Sequence, residues 1–262
     1  MNGKGLRRMH FGRGRLALPA VTVLFALQAC SPSTPTPPLQ IGTITVATTE
    51  PQPPPLSSGG GECNNAYFPS EEDTVWESVG TNSLSGDYTS TTTVIESNDD
   101  GFTVRAVSST SDVDFVLEYG CTDAGLVMLN PFAQFGTASA TGPTGSATVN
   151  TLGASGLTLP SDLHAGQTWQ QYLAFEVVGS DVTIHGEYTA DSIARGLELV
   201  HVPFGGFDAM RVDTEVQSTI GGEPFATCQQ TTWAVKDIGA VKGESSCGGI
   251  DDSFELVSFD SP

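Results

Sequence analysis

From Met210 to Ile220 the chain reads MRVDTEVQSTI, in which Met210, Val212, Val216 and Ile220 alternate with Arg211, Asp213, Glu215 and Gln217. A period of two is the pleat of a β-strand with one apolar and one wet face; a helix would scatter the same residues around its axis. The pattern recurs. Val113, Phe115, Leu117, Tyr119 and Cys121 share a face against Asp114 and Glu118, and Trp169, Leu173, Phe175 and Val177 lie together. Val182, Ile184 and Tyr188 oppose Thr183, His185, Glu187 and Thr189. One apolar and one solvated face is the signature of antiparallel sheet. Turn signals stand where hairpins need them, at Asn98-Asp99-Asp100-Gly101, Gly179-Ser180-Asp181 and Gly221-Gly222. Convincing helical periodicity is missing from the chain, so the expected class is all-β with few helices.

The first fifteen residues carry Lys4, Arg7, Arg8, Arg13 and Arg15, and the apolar run LALPAVTVLFALQA then leads to Cys30. That anatomy reads as a secretory signal over residues 1–29, too short to be a spanning helix. Leu27-Gln28-Ala29-Cys30 resembles the lipobox of bacterial lipoproteins, which implies that Cys30 is acylated, palmitate-type, and anchors the mature chain to the outer face of a membrane. Ser31 after it lacks the aspartate that retains some lipoproteins at an inner membrane, so outward sorting is the mild expectation. Residues 30–62 are rich in Pro, Ser, Thr and Gly; such a segment buries too little surface to offset its ordering entropy and serves as a tether. Residues 63–262 then form one domain, long enough for a real core.

The whole chain has ten Lys plus Arg against thirty Asp plus Glu. Loss of the signal leaves five against thirty, a mature net charge of −25. Nucleic acid and anionic headgroups are repelled by such a surface, so no nucleic-acid partner is expected.

Four cysteines remain in the domain: Cys63, Cys121, Cys228 and Cys247. An even count in an exported chain reads as two disulfides. Of the three possible pairings, Cys63 with Cys121 and Cys228 with Cys247 is preferred, because the second pair flanks a hairpin. A stretch poor in large side chains, from Phe132 to Gly156, reads as a long loop or small-residue edge dividing the domain into halves at about 63–135 and 157–259. Both halves open on a similar phrase, Phe68-Pro69-Ser70 before Trp76 and Leu159-Pro160-Ser161 before Trp169, which raises an internal duplication as an expectation.

Tyr67-Phe68-Pro69 with Trp76, Leu159-Pro160 with Trp169, VPFGGFDAMRV at Val202 to Val212 and WAVKDIGAVK at Trp233 to Lys242 together resemble a pattern of bacterial lipoproteins and periplasmic β proteins. Many of these look like the LolA and LppX type of lipoprotein carrier. The resemblance implies a strongly curved antiparallel sheet, a half-barrel or open barrel, with a hydrophobic concave face. Carriers cover that face with helices, which the periodicity here does not supply.

Three histidines follow the signal, His164, His185 and His201, without an HExxH, a Cys and His cluster or a G-x-S-x-G elbow. His185 and Glu187 share a strand face but need a further ligand to hold a metal. Glu71-Glu72-Asp73, Asp99-Asp100 and Asp251-Asp252 lack the twelve-residue spacing of a calcium loop. Gly205-Gly206 lies between strands with no lysine beside it, so a phosphate cradle is not expected; the pair reads as a corner in which glycines supply positive φ and Phe204 and Phe207 anchor the turn. No cofactor, metal or catalytic residue is expected. The expected function is capture of a lipid or other apolar or amphipathic ligand on the curved sheet. Trp76, Trp169, Phe175, Tyr188, Phe207 and Trp233 are the ligand-facing or core aromatics in that reading. The alternatives are a structural or partner-binding envelope module without a ligand cavity, and an envelope hydrolase with an unrecognised site.

Overall fold

Alternation over eight to twenty residues builds long strands, and strands dominate the described residues. The computed structural model describes residues 63, 65–110, 114–130, 141–142, 145–146, 148–178 and 183–262. The signal, Cys30, the tether and the Gly179-Ser180-Asp181 turn lie outside the described residues. In chain order the strands are β1 (Val75–Asn82), β2 (Gly86–Asn98), β3 (Gly101–Ser108), β4 (Phe115–Thr122), β5 (Gly125–Met128), β6 (Thr141–Gly142), β7 (Gly145–Ser146), β8 (Thr148–Gly156), β9 (Leu159–Pro160), β10 (Thr168–Val178), β11 (Thr183–Val202), β12 (Gly205–Ile220), β13 (Glu223–Val235), β14 (Gly239–Cys247) and β15 (Ile250–Asp260). No helix occurs among the described residues.

Thirteen of these strands form one antiparallel sheet in the order β8-β10-β11-β12-β13-β14-β15-β1-β2-β3-β4-β5-β9, while β6 and β7 pair with each other. The C-terminal β15 lies beside β1, so the two sequence halves are joined into one sheet by Val75↔Asp260 to Asn82↔Asp252 pairing. Strands at the two ends of the order, β8 and β9, are consecutive in the chain. Residues 157 and 158 switch the backbone from one edge to the other: the Leu157 amide donates to the Gln170 carbonyl of β10 and the Thr158 amide to the Leu126 carbonyl of β5. The sheet therefore curls until its ends approach, without closing through a continuous ladder. This is the all-β class expected from the alternation, in the curved, open form that the resemblance implied.

One buried polar side chain ties those ends together. Gln171 is 1% exposed; its Nε2 donates to the Met128 carbonyl at 2.8 Å and its Oε1 accepts from Thr158 Oγ1 at 2.7 Å. The Met128 amide donates to the same Thr158 hydroxyl. Gln171 has the parity of Leu173 and Phe175, so it points toward the core because the pleat sends it there, and it is tolerated because each of its polar atoms is bonded. Gln171→Leu is expected to strip the Met128 carbonyl of its donor and the Thr158 hydroxyl of its acceptor. The cost is about 3 kcal/mol, read in thermal unfolding as a fall of roughly 6–12 °C. An unchanged melting temperature would remove this residue from the account of closure.

The core collects apolar side chains from nearly every strand of the sheet. Val94, Phe102 and Val104 from β2 and β3, Val127 and Met128 from β5, Leu173 and Phe175 from β10, Tyr188 from β11, Val216 from β12 and Leu256 from β15 belong to one buried cluster. A smaller cluster of Tyr67, Leu163, Ala194, Met210, Val212 and Ala234 lies beside Trp169. Large rings are seated on glycines directly across the ladder: Phe175 opposite Gly186, Tyr88 opposite Gly80 and Phe254 opposite Gly243. A Cβ at any of the three glycines would overlap the ring opposite it, so glycine here makes room for an aromatic instead of loosening the strand.

Both disulfides take the preferred pairing, Cys63 with Cys121 and Cys228 with Cys247. Cys228 and Cys247 stand directly opposite each other on β13 and β14. Asn98 makes the turn foreseen between β2 and β3, accepting from the amides of Asp100 and Gly101, and Gly221 and Gly222 take φ of 62° and 83° in the β12 to β13 turn. The small-residue stretch ends in β8, at the end of the strand order.

Candidate functional site

The reading of Gly205-Gly206 requires correction. Neither residue adopts positive φ. The turn is Pro203-Phe204, with Val202 paired to Gly205 across it, and both glycines are the first residues of β12. A Cβ on Gly205 would meet the Phe207 ring at 3.3 Å, and one on Gly206 would meet the His201 ring at 3.3 Å. Their role is side-chain room on a hairpin, and Phe204 stacks on Phe207 at 5.8 Å between ring centroids.

The aromatic set divides between two clusters. Trp76, Phe175, Tyr188 and Trp233 are buried in the main core, with Phe207 packed against it, while Trp169 packs on the smaller cluster. Trp76 lies between Phe68 and Phe259 at 5.5 and 5.8 Å, and its Nε1 donates to the Ile238 carbonyl. The Trp169 Nε1 donates to the Thr158 carbonyl. His164, His185 and His201 are all exposed, His164 in the loop before β10 and the other two sixteen residues apart on β11. No grouping of three or more His, Cys, Asp or Glu residues with metal-binding geometry occurs among the described residues.

Trp233 differs from the other buried aromatics in its neighbours. It is 8% exposed, yet it pairs across the ladder with Arg211 on β12 and Lys242 on β14, on the sheet face opposite Cys228. The Arg211 guanidinium lies 5.8 Å and the Lys242 ammonium 5.2 Å from the ring centroid. Cations over an indole are held by its negative face. The Nε1 of Trp233 donates to Glu198 Oε2 at 2.9 Å, and the other oxygen of Glu198 accepts from Arg211 at 3.4 Å.

Asp213 completes the cluster, accepting from Arg195 at 2.8 Å, Arg211 at 2.9 Å and the Thr231 hydroxyl at 3.2 Å. Three of the five positive residues of 63–262, Arg195, Arg211 and Lys242, thus converge on one acidic and aromatic centre. Burial works to raise the Asp213 carboxyl, but the hydrogen bonds from Arg195 and Arg211 outweigh it and hold the group below its usual range. Arg211 is held above its ordinary value, first by its hydrogen bond to Asp213. A depressed carboxyl stabilises the fold above its unfolded value near pH 4 and loses that contribution as pH falls through the lower folded value. Because these groups are part-exposed, Asp213→Asn is expected to cost only about 1 kcal/mol. In urea titrations the difference from wild type should vanish once the solution is acidified below that range.

Beside this cluster the polar face is hollowed. A groove of about 580 Å³ runs over β1, β2, β14 and β15, and another of about 540 Å³ adjoins it toward β13, the two sharing Thr81, Glu244 and Ser253. Lys242 reaches into the first from the Trp233 centre and pairs with Glu244 at 3.2 Å and Glu255 at 3.7 Å. Val79, Thr81, Asp87 and Thr89 also line that groove. This is a surface of paired charges and hydroxyls, suited to hydrogen bonding along an extended partner. Arg211 and Asp213 were visible in the sequence as the wet side of a strand; the convergence on Trp233 was not, since it depends on which strands become neighbours.

Three solved structures are similar to the chain, all at low identity. A candidate exported protein of YmcC-like fold from Bacteroides fragilis is 13% identical over 75% of this chain and 100% of its own, with a TM-score of 0.48. A candidate lipoprotein from Parabacteroides distasonis is 15% identical over 75% and 99%, with a TM-score of 0.49. The hypothetical lipoprotein YmcC of Escherichia coli is 11% identical over 71% and 85%, with a TM-score of 0.35. No protein-family model and no curated protein sequence matches the chain.

Proposed function

We propose that the mature chain is a lipid-tethered module of the bacterial cell envelope that binds a macromolecular partner on its surface, without catalysis. The observation that carries this reading is the use of the aromatics. Trp76, Phe175, Tyr188 and Trp233, the large rings that an apolar ligand would contact on a curved sheet, are spent on the core. Two of the accessible hollows among the described residues lie on the polar face, with hydroxyls and charged side chains in their lining. Envelope residence is supported by the signal and the lipobox resemblance at Cys30, and by two disulfides, which persist in oxidising compartments. The carrier function implied by the LolA and LppX resemblance is the second reading.

Purification of the chain from its native membranes, organic extraction of the folded domain and mass spectrometry separate the two readings. The module reading expects only the acyl chains bound to Cys30. A stoichiometric free lipid would overturn it in favour of a carrier. In the same cells Cys30→Ser is expected to abolish palmitate labelling and move the protein out of the membrane fraction.

A further inference from the structure

We infer that one edge of β11, residues 196–202, is a strand-addition site for an extended, basic segment of a partner protein; this rests on the surface-binding reading above. The ladder between β10 and β11 ends at Thr168↔Ile193, with last bonds between Gly166, Gln167 and Ala194. Beyond the bulge at Arg195, β11 pairs only with β12 among the described residues, as far as the Pro203-Phe204 turn. These two strand ends form an arm. In a hairpin closed by two residues the pair flanking the turn, here Val202 and Gly205, exchanges hydrogen bonds, and the pattern then alternates along the strand. The amides and carbonyls of Val200 and Glu198 therefore serve β12. Those of Leu197, Leu199 and His201 point to the side where no described strand pairs.

The arm is held in place, so this edge is a fixed template. Val202 and Ala209 are buried in the main core, with Val200 and Phe207 packed against it. At the tip the Phe204 amide donates to the Leu256 carbonyl of β15 at 3.0 Å, and Glu198 is bonded to Trp233. Toward solvent, Leu197 and Leu199 are 66% and 67% exposed. Edge strands are ordinarily protected by lysines, prolines, bulges or inward charges. Here the bulge and Pro203 bound the segment, and the single charge between them, Glu198, is turned to the Trp233 centre. Two exposed leucines at alternate positions give an added strand matching apolar contacts.

Charge selects the occupant. At −25 the mature chain repels a second copy of itself and attracts a cationic segment. The fitting partner is an extended stretch in which lysines or arginines alternate with apolar residues.

The test uses the lipidated mature chain in detergent and three synthetic decapeptides: alternating lysine and valine, alternating glutamate and valine, and the lysine form with alternate backbone nitrogens methylated. The lysine peptide is expected to bind and to slow hydrogen exchange at the amides of Leu197, Leu199 and His201. The glutamate peptide should not bind, and methylation should weaken binding at least about tenfold by removing strand hydrogen bonds. Leu199→Pro, at an amide that β12 does not use, should have the same effect, and Leu199→Lys should weaken binding by charge. Undiminished binding of the methylated peptide to the unaltered chain would overturn the proposal, as would protection elsewhere. Self-association lost in Leu199→Pro would assign the edge to a second copy instead. A free lipid in the membrane extract removes the module reading whatever the peptides do. A silent edge with a clean extract removes only this site.

Discussion

Replacing Cys63 and Cys121 by alanine is expected to lower stability by about 4 kcal/mol, on the chain-entropy account of a loop of this length. The bridge spans 58 residues and so closes a large loop. The loss should appear as a fall of roughly 8–16 °C in the melting temperature. Its structural consequence is local and identifiable. Cys63 sits at the start of the domain, its carbonyl accepting from the Ser70 hydroxyl, and nearby Asn65 donates to the Pro160 carbonyl at 3.0 Å. Pro160 in turn pairs with Gly125 on β5. Without the bridge, the segment that packs Tyr67 and Phe68 onto the sheet should open, and exchange protection should fall first at β5 and β9, where the sheet's ends meet. The shorter bridge, Cys228 to Cys247, closes a hairpin already registered by its ladder and should cost less. Equal losses from both double variants would count against loop length as the source of the effect.

Alkali should unfold the domain cooperatively above about pH 10, where unfolded tyrosines ionise. Burial pushes the Tyr119 phenol up to about 12. It also raises Tyr188, helped by its neighbour Tyr119, and Tyr88, where the Asp252 charge and hydrogen bond add to burial. Tyr67 is raised by burial in spite of the opposing Lys236. A phenol whose folded pKa is raised contributes in full below the unfolded value, and the contribution is lost as pH rises from there through the folded value. Each unit is worth about 1.4 kcal/mol, so Tyr119 alone accounts for roughly 3 kcal/mol. Several such groups approach the whole stability of a domain, about 5–15 kcal/mol. Circular dichroism and phenolate absorbance should therefore change together between pH 10 and 12. Tyrosinate appearing near pH 10 with the β signal intact would show that these phenols are accessible.

Much of the fold was legible because a strand's period is local. Met210 to Ile220, Phe115 to Cys121 and Thr168 to Val178 each announce a strand and a buried face without reference to anything distant, and Cys228 and Cys247 are placed across one hairpin by a nearby turn. Gln171 was missed for the same reason. Its parity marks it as core-facing, but its partners Met128 and Thr158 are 43 and 13 residues away in sequence, and a glutamine gives no sign of what will satisfy it. Gly205 and Gly206 were located correctly but explained by the wrong property: proline already supplies the turn, and the glycines clear space for Phe207 and His201.

The candidate sites lie further from the sequence. Arg195, Glu198, Arg211, Asp213 and Lys242 read as scattered charges on wet faces until β11 to β14 stand side by side around Trp233. The exposure of Leu197 and Leu199 follows from the β10 ladder ending before β11 does, so that part of β11 outruns its neighbour. Sequence alone determined the β class, the alternation, the acidic charge and the presence of two disulfides, since each depends on residue type, number or short spacing. Only the tertiary structure decided that the sheet curls end to end, that Trp76, Phe175, Tyr188 and Trp233 are consumed by its core, and that part of β11 has no second neighbour among the described strands. Those outcomes depend on long-range pairing, in which a side chain's role is set by neighbours that the local sequence does not encode.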